Sequence, residues 1–98
     1  MRQLWIATLH ISPVTRQKLL QRHRVDPEML RARLVAVSWL RFSWHDHPTR
    51  GRRVVVDLPH GRRRLLVVLY PTDRSDTWHL ASAYVVNQRP RWENRRRG

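Results

Sequence analysis

Cysteine is absent from this 98-residue sequence, and long apolar runs are absent as well. Without cysteine the chain forms neither a disulfide framework nor a zinc site with thiolate ligands. No apolar run approaches the roughly 18 residues that a membrane-spanning helix needs. The N-terminus also lacks the pattern of a signal peptide. We therefore expect a cytoplasmic protein that is not embedded in a membrane.

Acidic residues and lysine are scarce. Seven Asp and Glu stand against twenty Lys and Arg, the net charge is +13, and Lys18 is the only lysine. A surplus of this size repels itself and is typical of proteins that bind a polyanion. Nucleic acid is the commonest such partner, because each phosphate that is neutralised releases counterions. RNA is the partner that we expect, and an acidic protein is the alternative.

The length and the apolar content predict one folded domain. A chain of 98 residues has room for a single core, and its hydrophobic fraction of 41% is that of a globular protein. We expect residues 1–86 to form this domain. Residues 87–98 (NQRPRWENRRRG) are polar and basic and are predicted to form a flexible tail.

Two helix starts are visible near the N-terminus. Ser12 and Asp26 are good N-cap residues, and each is followed by a proline, which fits the first turn of a helix. We therefore predict an αα-hairpin over residues 13–38, linked at Arg24 and Val25. The apolar face of its second helix is predicted to carry Leu30, Leu34 and Val37.

Strand patterns precede and follow the hairpin. The residues are rich in β-branched, aromatic and alternating apolar positions in segments 3–11, 39–44, 53–58, 63–70 and 77–86. Residues 59–61 (PHG) form a turn, and residues 65–69 are apolar without alternation, which predicts a central strand covered on both faces. The order β-α-α-β-β-β(β) predicts an α+β fold in which a helical pair packs on one side of an antiparallel sheet.

The last predicted strand separates into two faces. Simple alternation places Trp78, Leu80, Ser82, Tyr84 and Val86 on one face and His79, Ala81, Ala83 and Val85 on the other. His79 would then face a helix as a half-buried residue. Tryptophan is abundant for this length, and we expect four of the five to lie in the core: Trp5, Trp39, Trp44 and Trp78.

Three segments resemble small BrnT-like toxins of the RelE/ParE superfamily. RHRVDPEMLRARL is similar to their opening loop and helix, and GRRRLLVVLYPTD with WHLASAYVV is similar to their closing hairpin. The resemblance covers residues 20–86. The family pattern ends its last strand in Ser-Ala-Arg, where this sequence has Ser82, Ala83 and Tyr84.

The resemblance implies a β-αα-β fold and a function. Members are generally endoribonucleases that cut messenger RNA without a metal. We therefore expect no cofactor, and an RNA substrate that is either free or ribosome-bound messenger RNA. They act as toxins that a cognate antitoxin neutralises. RelE-like proteins often place a functional tyrosine late in the chain, which makes Tyr84 a candidate catalytic residue.

Metal-free RNA cleavage needs groups that move protons, and the stretch Trp44–Pro48 holds two histidines. If this stretch is extended, His45 and His47 lie on one side of it and Asp46 on the other. Imidazole can accept or donate a proton near neutral pH, so His45 and His47 are candidate catalytic residues. A hydrogen-bonded turn and a zinc site are the alternatives, although no third ligand lies at a typical spacing.

The same chemistry needs cations that bind phosphate, and arginine supplies paired donors for its oxygens. Arg53 and Arg63 lie on the two strands that flank the PHG turn, and we expect them to be cross-strand neighbours that an anion would hold together. Arg63 is the candidate for stabilising the transition state. The further candidates for binding RNA are Arg50, Arg53, Arg62, Arg64 and, in the tail, Trp92.

We therefore expect a toxin of a type II toxin–antitoxin system that cleaves RNA. Two alternatives use the same basic surface. One is an RNA- or ribosome-binding protein without catalytic activity, and the other is a domain of this fold that binds only a protein.

Overall fold

The computed structural model of the protein describes residues 3–86. The predicted tail over residues 87–98 lies outside this range. The helices are α1 (Pro13–Lys18), which continues into a π-helical segment (Leu19–His23), and α2 (Pro27–Leu34). The strands are β1 (Thr8–His10), β2 (Arg41–His47), β3 (Gly51–His60), β4 (Arg63–Pro71) and β5 (Thr77–Val86).

The strands form one five-stranded sheet in the order β1-β5-β4-β3-β2. Strands β2 to β5 are antiparallel neighbours joined in sequence, whereas β1 pairs with β5 in parallel. The α+β class is confirmed, but the sheet is mixed rather than purely antiparallel. The reason is the helical connection, which carries the chain from β1 to the opposite edge. Three reversals then bring β5 back beside β1 in the same direction.

Both predicted helix starts are confirmed. The Ser12 hydroxyl accepts a hydrogen bond from the backbone N–H of Thr15 at 3.1 Å. The Asp26 carboxylate accepts one from Glu28 at 2.9 Å. Helix α2 ends at Leu34, earlier than predicted, and leaves Val37 half-buried beyond it.

The early end of α2 coincides with a contact to the start of the chain. Ala36 has a left-handed backbone with φ of 57°. It donates its N–H to the carbonyl of Ile6 at 2.8 Å instead of continuing the helix. The start of the chain is thereby held against the end of α2.

The core lies between the helices and one face of the sheet, which we call the helix side. Leu19, Leu30 and Leu34 from the helical segments are fully buried there. The sheet contributes Leu9, Val54, Val56, Leu58, Leu65, Val67, Leu69, Trp78, Leu80 and Ala83. Val68 is buried too, although it lies on the opposite face, and β4 is the middle strand as predicted.

The predicted faces of β5 are wrong beyond Leu80. Leu69 pairs with Leu80, but Val68 pairs with Ser82, so Ala81 is an extra residue in a β-bulge. A bulge shifts the alternation of side chains by one position. Ala83 and Val85 therefore join Leu80 on the helix side. His79, Ser82, Tyr84 and Val86 lie on the opposite face, and His79 is exposed rather than packed under a helix.

Only Trp78 among the predicted core tryptophans is buried, with 5% of its surface exposed. Trp39 is 80% exposed, and Trp5 and Trp44 also lie at the surface. These positions were expected in the core because they fall in structured segments. Trp5 alternates with the buried Leu4 and Ile6, and Trp39 lies in a bend with a φ of 65°. Trp44 is on the helix side, but at the edge strand β2 it is only partly covered.

Candidate functional site

Polar side chains form a line across the sheet on the face opposite the helices, which we call the open face. His45 lies opposite Arg53, Tyr70 lies opposite His79, and His79 lies opposite His10. Arg53 is next to Tyr70, because the preceding pair in the same register is Val54 with Leu69. We call these five residues the transverse row. It places a histidine, an arginine, a tyrosine and two more histidines on successive strands.

The middle of the transverse row contains buried polar atoms without partners. Arg53 Nε and the Tyr70 hydroxyl are both buried, and neither has a hydrogen-bond partner within the described residues. Leaving such a group unpaired costs about 1–3 kcal/mol, and more when it is charged. Both atoms are closed to solvent in this arrangement, so an anion reaches them only when the two side chains shift, and it would then accept hydrogen bonds from both.

Histidines lie on both sides of this pair. His45 shares a hydrogen bond with the Ser43 hydroxyl through Nε2 at 2.9 Å, which orients the ring and leaves Nδ1 available. On the other side, the His10 and His79 rings lie 5.3 Å apart between centroids and are tilted by 36°. All three histidines are exposed to solvent.

The spacing of the row suits a phosphodiester. Neighbouring strands are about 4.8 Å apart, so the backbones of His45 and His79 are separated by about 14 Å. Arg53 and Tyr70 occupy the two positions between them. The His45 ring is bound to Ser43 and the His79 ring lies beside His10, so both must turn inward to reach opposite sides of one phosphate bound in the middle.

Two of the predicted site residues, His45 and Arg53, are brought together by the fold as direct cross-strand neighbours. His47 lies on the same face as His45, as predicted for an extended segment. Its Nδ1 accepts hydrogen bonds from the backbone N–H groups of Thr49 and Arg50 at 3.2 and 3.1 Å. His47 is thus a hydrogen-bonded turn residue, and Arg50 is part of the turn that it holds.

The arginines of the β3–β4 hairpin lie at the other end of the sheet. Arg63 pairs with His60, so the expected pairing of Arg53 with Arg63 is wrong. The cause is the tight turn at Gly61 and Arg62, where Gly61 has a φ of 61°. A tight turn pairs residues near it with each other and leaves Arg53 far along the strand.

Arg64 is occupied by a protein partner. Its guanidinium donates to the Asp57 carboxylate through Nη2 at 2.6 Å and through Nε at 3.1 Å. This hydrogen bond, and secondly the charge of Asp57, raise the pKa of the Arg64 guanidinium above its ordinary value. Arg64 is therefore a weaker candidate for binding phosphate than Arg53.

Tyr84 lies on the open face but away from the transverse row. It is exposed and lies opposite Leu66, four residues along β4 from Tyr70. That separation corresponds to about 13 Å along a strand. Trp92 lies outside the described residues.

Sequence reasoning missed three members of the transverse row: His10, Tyr70 and His79. Their sequence signal was weak, because His10 and Tyr70 lie near the ends of apolar strands, and the bulge at Ala81 hid which face of β5 the helices cover. The register of β3, β4 and β5 is what aligns them.

The described residues contain neither a metal-binding cluster nor a membrane-spanning helix. Within residues 3–86, no group of three His, Asp or Glu side chains lies close enough to hold a metal ion. None of the helices in that range has the length and apolar character needed to cross a bilayer.

Comparison with known proteins gives no relative. No protein-family model, no curated protein and no solved structure matches this chain.

Proposed function

We propose that this protein binds single-stranded RNA on the open face of its sheet and cleaves it without a metal ion. The observation that carries the proposal is the pair of buried, unpartnered donors, Arg53 Nε and the Tyr70 hydroxyl, with histidines on both sides. The net charge of +13 supports a polyanionic partner.

The transverse row supplies the groups that the reaction needs. The 2′-oxygen of the ribose attacks the neighbouring phosphorus, and the bond from phosphorus to the 5′-oxygen breaks. The products are a 2′,3′-cyclic phosphate and a free 5′-hydroxyl. One of His45 and His79 takes the proton from the 2′-hydroxyl, and the other gives a proton to the departing 5′-oxygen. Arg53 and Tyr70 donate to the non-bridging oxygens, where negative charge grows.

The fold suits this division of work. Because the two histidines lie on opposite sides of Arg53 and Tyr70, base and acid can approach the phosphate from opposite directions, as an in-line displacement requires. The ring of His10 beside His79 limits the positions that the His79 ring can take. The hydroxyl of Ser43 does the same for His45.

We further propose that the biological setting is that of a toxin whose activity an antitoxin protein restrains. Support comes from the resemblance of residues 20–86 to BrnT-like toxins and from the α+β order of the elements. Messenger RNA, free or on the ribosome, would be the substrate. Induced expression of the chain alone should then arrest growth and deplete intact messenger RNA. Normal growth at good soluble expression would contradict the toxin setting.

The direct test of the activity is single-turnover cleavage of a defined RNA by the purified chain. Arg53→Ala should lower the rate by a factor on the order of 100, because it removes a donor to the developing charge. Arg62→Ala is the matched control, since it removes an equal charge from the turn at the far end of β3, and its rate should stay within about twofold.

Two other results would change the conclusion. RNA that binds tightly to the wild type but is never cut would show a binding protein without catalytic activity. Equal loss of cleavage in the Arg53 and Arg62 variants would show that the transverse row is not the site.

A further inference from the structure

An aromatic surface lies on the helix side of the sheet at its β2 edge, where Trp44 is only partly covered. Trp44 is 37% exposed there, and its ring centroid lies 6.0 Å from that of the buried Trp78. The Trp78 indole donates its N–H to the carbonyl of Trp5 at 3.3 Å. Trp44 is thus supported from behind by a ring that is itself fixed, while part of its surface faces solvent.

Arg52 is placed over this ring. Its guanidinium carbon lies 4.6 Å from the Trp44 ring centroid, as in a cation–π pair. Asp46 is directly opposite Arg52 in the β2–β3 register. The ion pairs of residues 3–86 nevertheless join only Arg16 and Arg31 to Glu28, and Arg64 to Asp57. Arg52 therefore lies over the tryptophan ring and forms no ion pair with the Asp46 carboxylate opposite it.

An exposed aromatic ring with a guanidinium over it is a surface on which a nucleobase can stack. Bases stack on aromatic side chains and on guanidinium planes, and the energy depends little on which base is present. The exposed part of Trp44 and the outer side of the Arg52 guanidinium that covers its ring offer both kinds of surface at one place, and the positive charge attracts the adjoining phosphate.

The position of Trp44 relates this surface to the transverse row. Trp44 and His45 are consecutive residues of β2, so their side chains point to opposite faces of the sheet. Arg52 and Arg53 are related in the same way on β3, and β2 is an edge strand of the sheet. An RNA strand that passes over this edge has access to His45 and Arg53 on one face and to Trp44 and Arg52 on the other.

We propose that Trp44 and Arg52 form a base-stacking subsite for single-stranded RNA whose cleaved phosphate lies on the transverse row. This inference rests on the proposed function and adds the way in which the substrate is held. The RNA bends around the β2 edge, so that the scissile phosphate sits on the open face and a neighbouring base stacks on the helix side. Duplex RNA cannot do this, because its bases are paired, and it should be a poor substrate.

The test uses short single-stranded RNA with one 2′-deoxy residue at the cleavage position, which prevents cutting. A series of such strands carries one abasic site at each position in turn, and binding to the full chain is measured for each. In the wild type we expect one position near the deoxy residue where the missing base weakens binding by about 5- to 100-fold, the range for one stacked base.

In the Trp44→Ala variant this penalty should disappear, so that the abasic and intact strands bind equally. Trp44→Phe keeps a smaller ring and should retain part of the penalty, and Arg52→Ala, which leaves the tryptophan in place, should reduce it. Trp39→Ala is the matched control, because Trp39 is 80% exposed and precedes β2 at its other end. Its penalty should equal that of the wild type. Thermal melting identifies any variant that fails to fold, and Trp44→Phe and Arg52→Ala then carry the test.

The outcomes separate this inference from the proposed function. If the wild type cuts RNA and the penalty is unchanged in the Trp44 and Arg52 variants, the subsite is wrong while the cleavage activity stands. A penalty that disappears equally in Trp39→Ala would also overturn the subsite. If the wild type neither binds nor cuts single-stranded RNA, the proposed function fails and the subsite fails with it.

Discussion

Arg53 and Tyr70 lie side by side on the two strands at the middle of the open face, and each buries a polar atom that no described residue satisfies. Folding alone gives no benefit from this arrangement, because an apolar pair of the same size would avoid the cost of desolvation. Buried donors without an acceptor on neighbouring strands are instead suited to a ligand that brings its own oxygens once the side chains shift to admit it. This contrast between stability and binding can be measured.

Tyr70→Phe should separate the two effects. The change removes the unpaired hydroxyl and keeps the ring, so the free energy of unfolding should stay the same or rise by about 1 kcal/mol. Cleavage of RNA should fall at least 10-fold, since one donor to the phosphate is lost. Thermal melting and single-turnover cleavage on the same preparation provide the two readings. A variant that melts lower and cuts RNA normally would show that the hydroxyl has a structural partner and no role at the site.

Arg64→Ala should lower stability and leave cleavage unchanged, which is the reverse of the result expected for Tyr70→Phe. Arg64 is bound to the Asp57 carboxylate at 2.6 Å, and removing it leaves a half-buried carboxylate without its cation. We expect a loss of about 1 kcal/mol of stability, because the pair is only partly shielded from water. RNA cleavage should remain near that of the wild type.

A double-mutant cycle with Asp57→Asn measures the pair directly by denaturant unfolding. A coupling free energy of about 1 kcal/mol between the two positions is expected. If Arg64→Ala lowers the cleavage rate as much as Arg53→Ala does, the phosphate site lies at the hairpin end of the open face and not on the transverse row.

Local sequence signals were sufficient for the start of each helix and for the existence of the β3–β4 hairpin, although its turn is Gly61–Arg62 and not residues 59–61 as predicted. Ser12 and Asp26 cap their helices through hydrogen bonds only two or three residues long in sequence. The turn at Gly61 is equally local. Such features depend on a few neighbouring residues, and the sequence displays them directly.

Features that depend on distant parts of the chain could not be predicted. The extra residue at Ala81 depends on the pairing of β5 with β4, and no pattern within the ten residues of β5 predicts it. The transverse row depends on the register of four strand pairs, so His10 and His79 are 69 positions apart in sequence and adjacent in space. How far the helices cover the sheet decides whether Trp44 is core or surface, and a single segment does not contain that information.

Cysteine labelling tests the β5 bulge without interference, because the chain has no cysteine of its own. Tyr84→Cys places a thiol on the open face, and Ala83→Cys places one in the core. A thiol reagent under native conditions should modify the first variant rapidly. The second should react more than about 100-fold more slowly, since its thiol is reached only when the sheet opens. The reverse order of rates would show that β5 has no bulge and that its side chains alternate regularly, as the sequence predicts.

The salt dependence of binding distinguishes the two kinds of contact that we propose. For single strands, the slope of log affinity against log salt is about −0.7 for each phosphate that is neutralised. With a net charge of +13, the wild type should give a slope of several units on a non-cleavable single-stranded RNA. Arg53→Ala should make this slope shallower by about 0.7, because one phosphate contact is lost. Trp44→Ala should lower the affinity at every salt concentration and leave the slope unchanged, since stacking releases no counterions. If the affinity of the wild type does not depend on salt concentration, nucleic acid is not the partner. If the slope changes as much in Trp44→Ala as in Arg53→Ala, a phosphate and not a base lies on the helix side of β2.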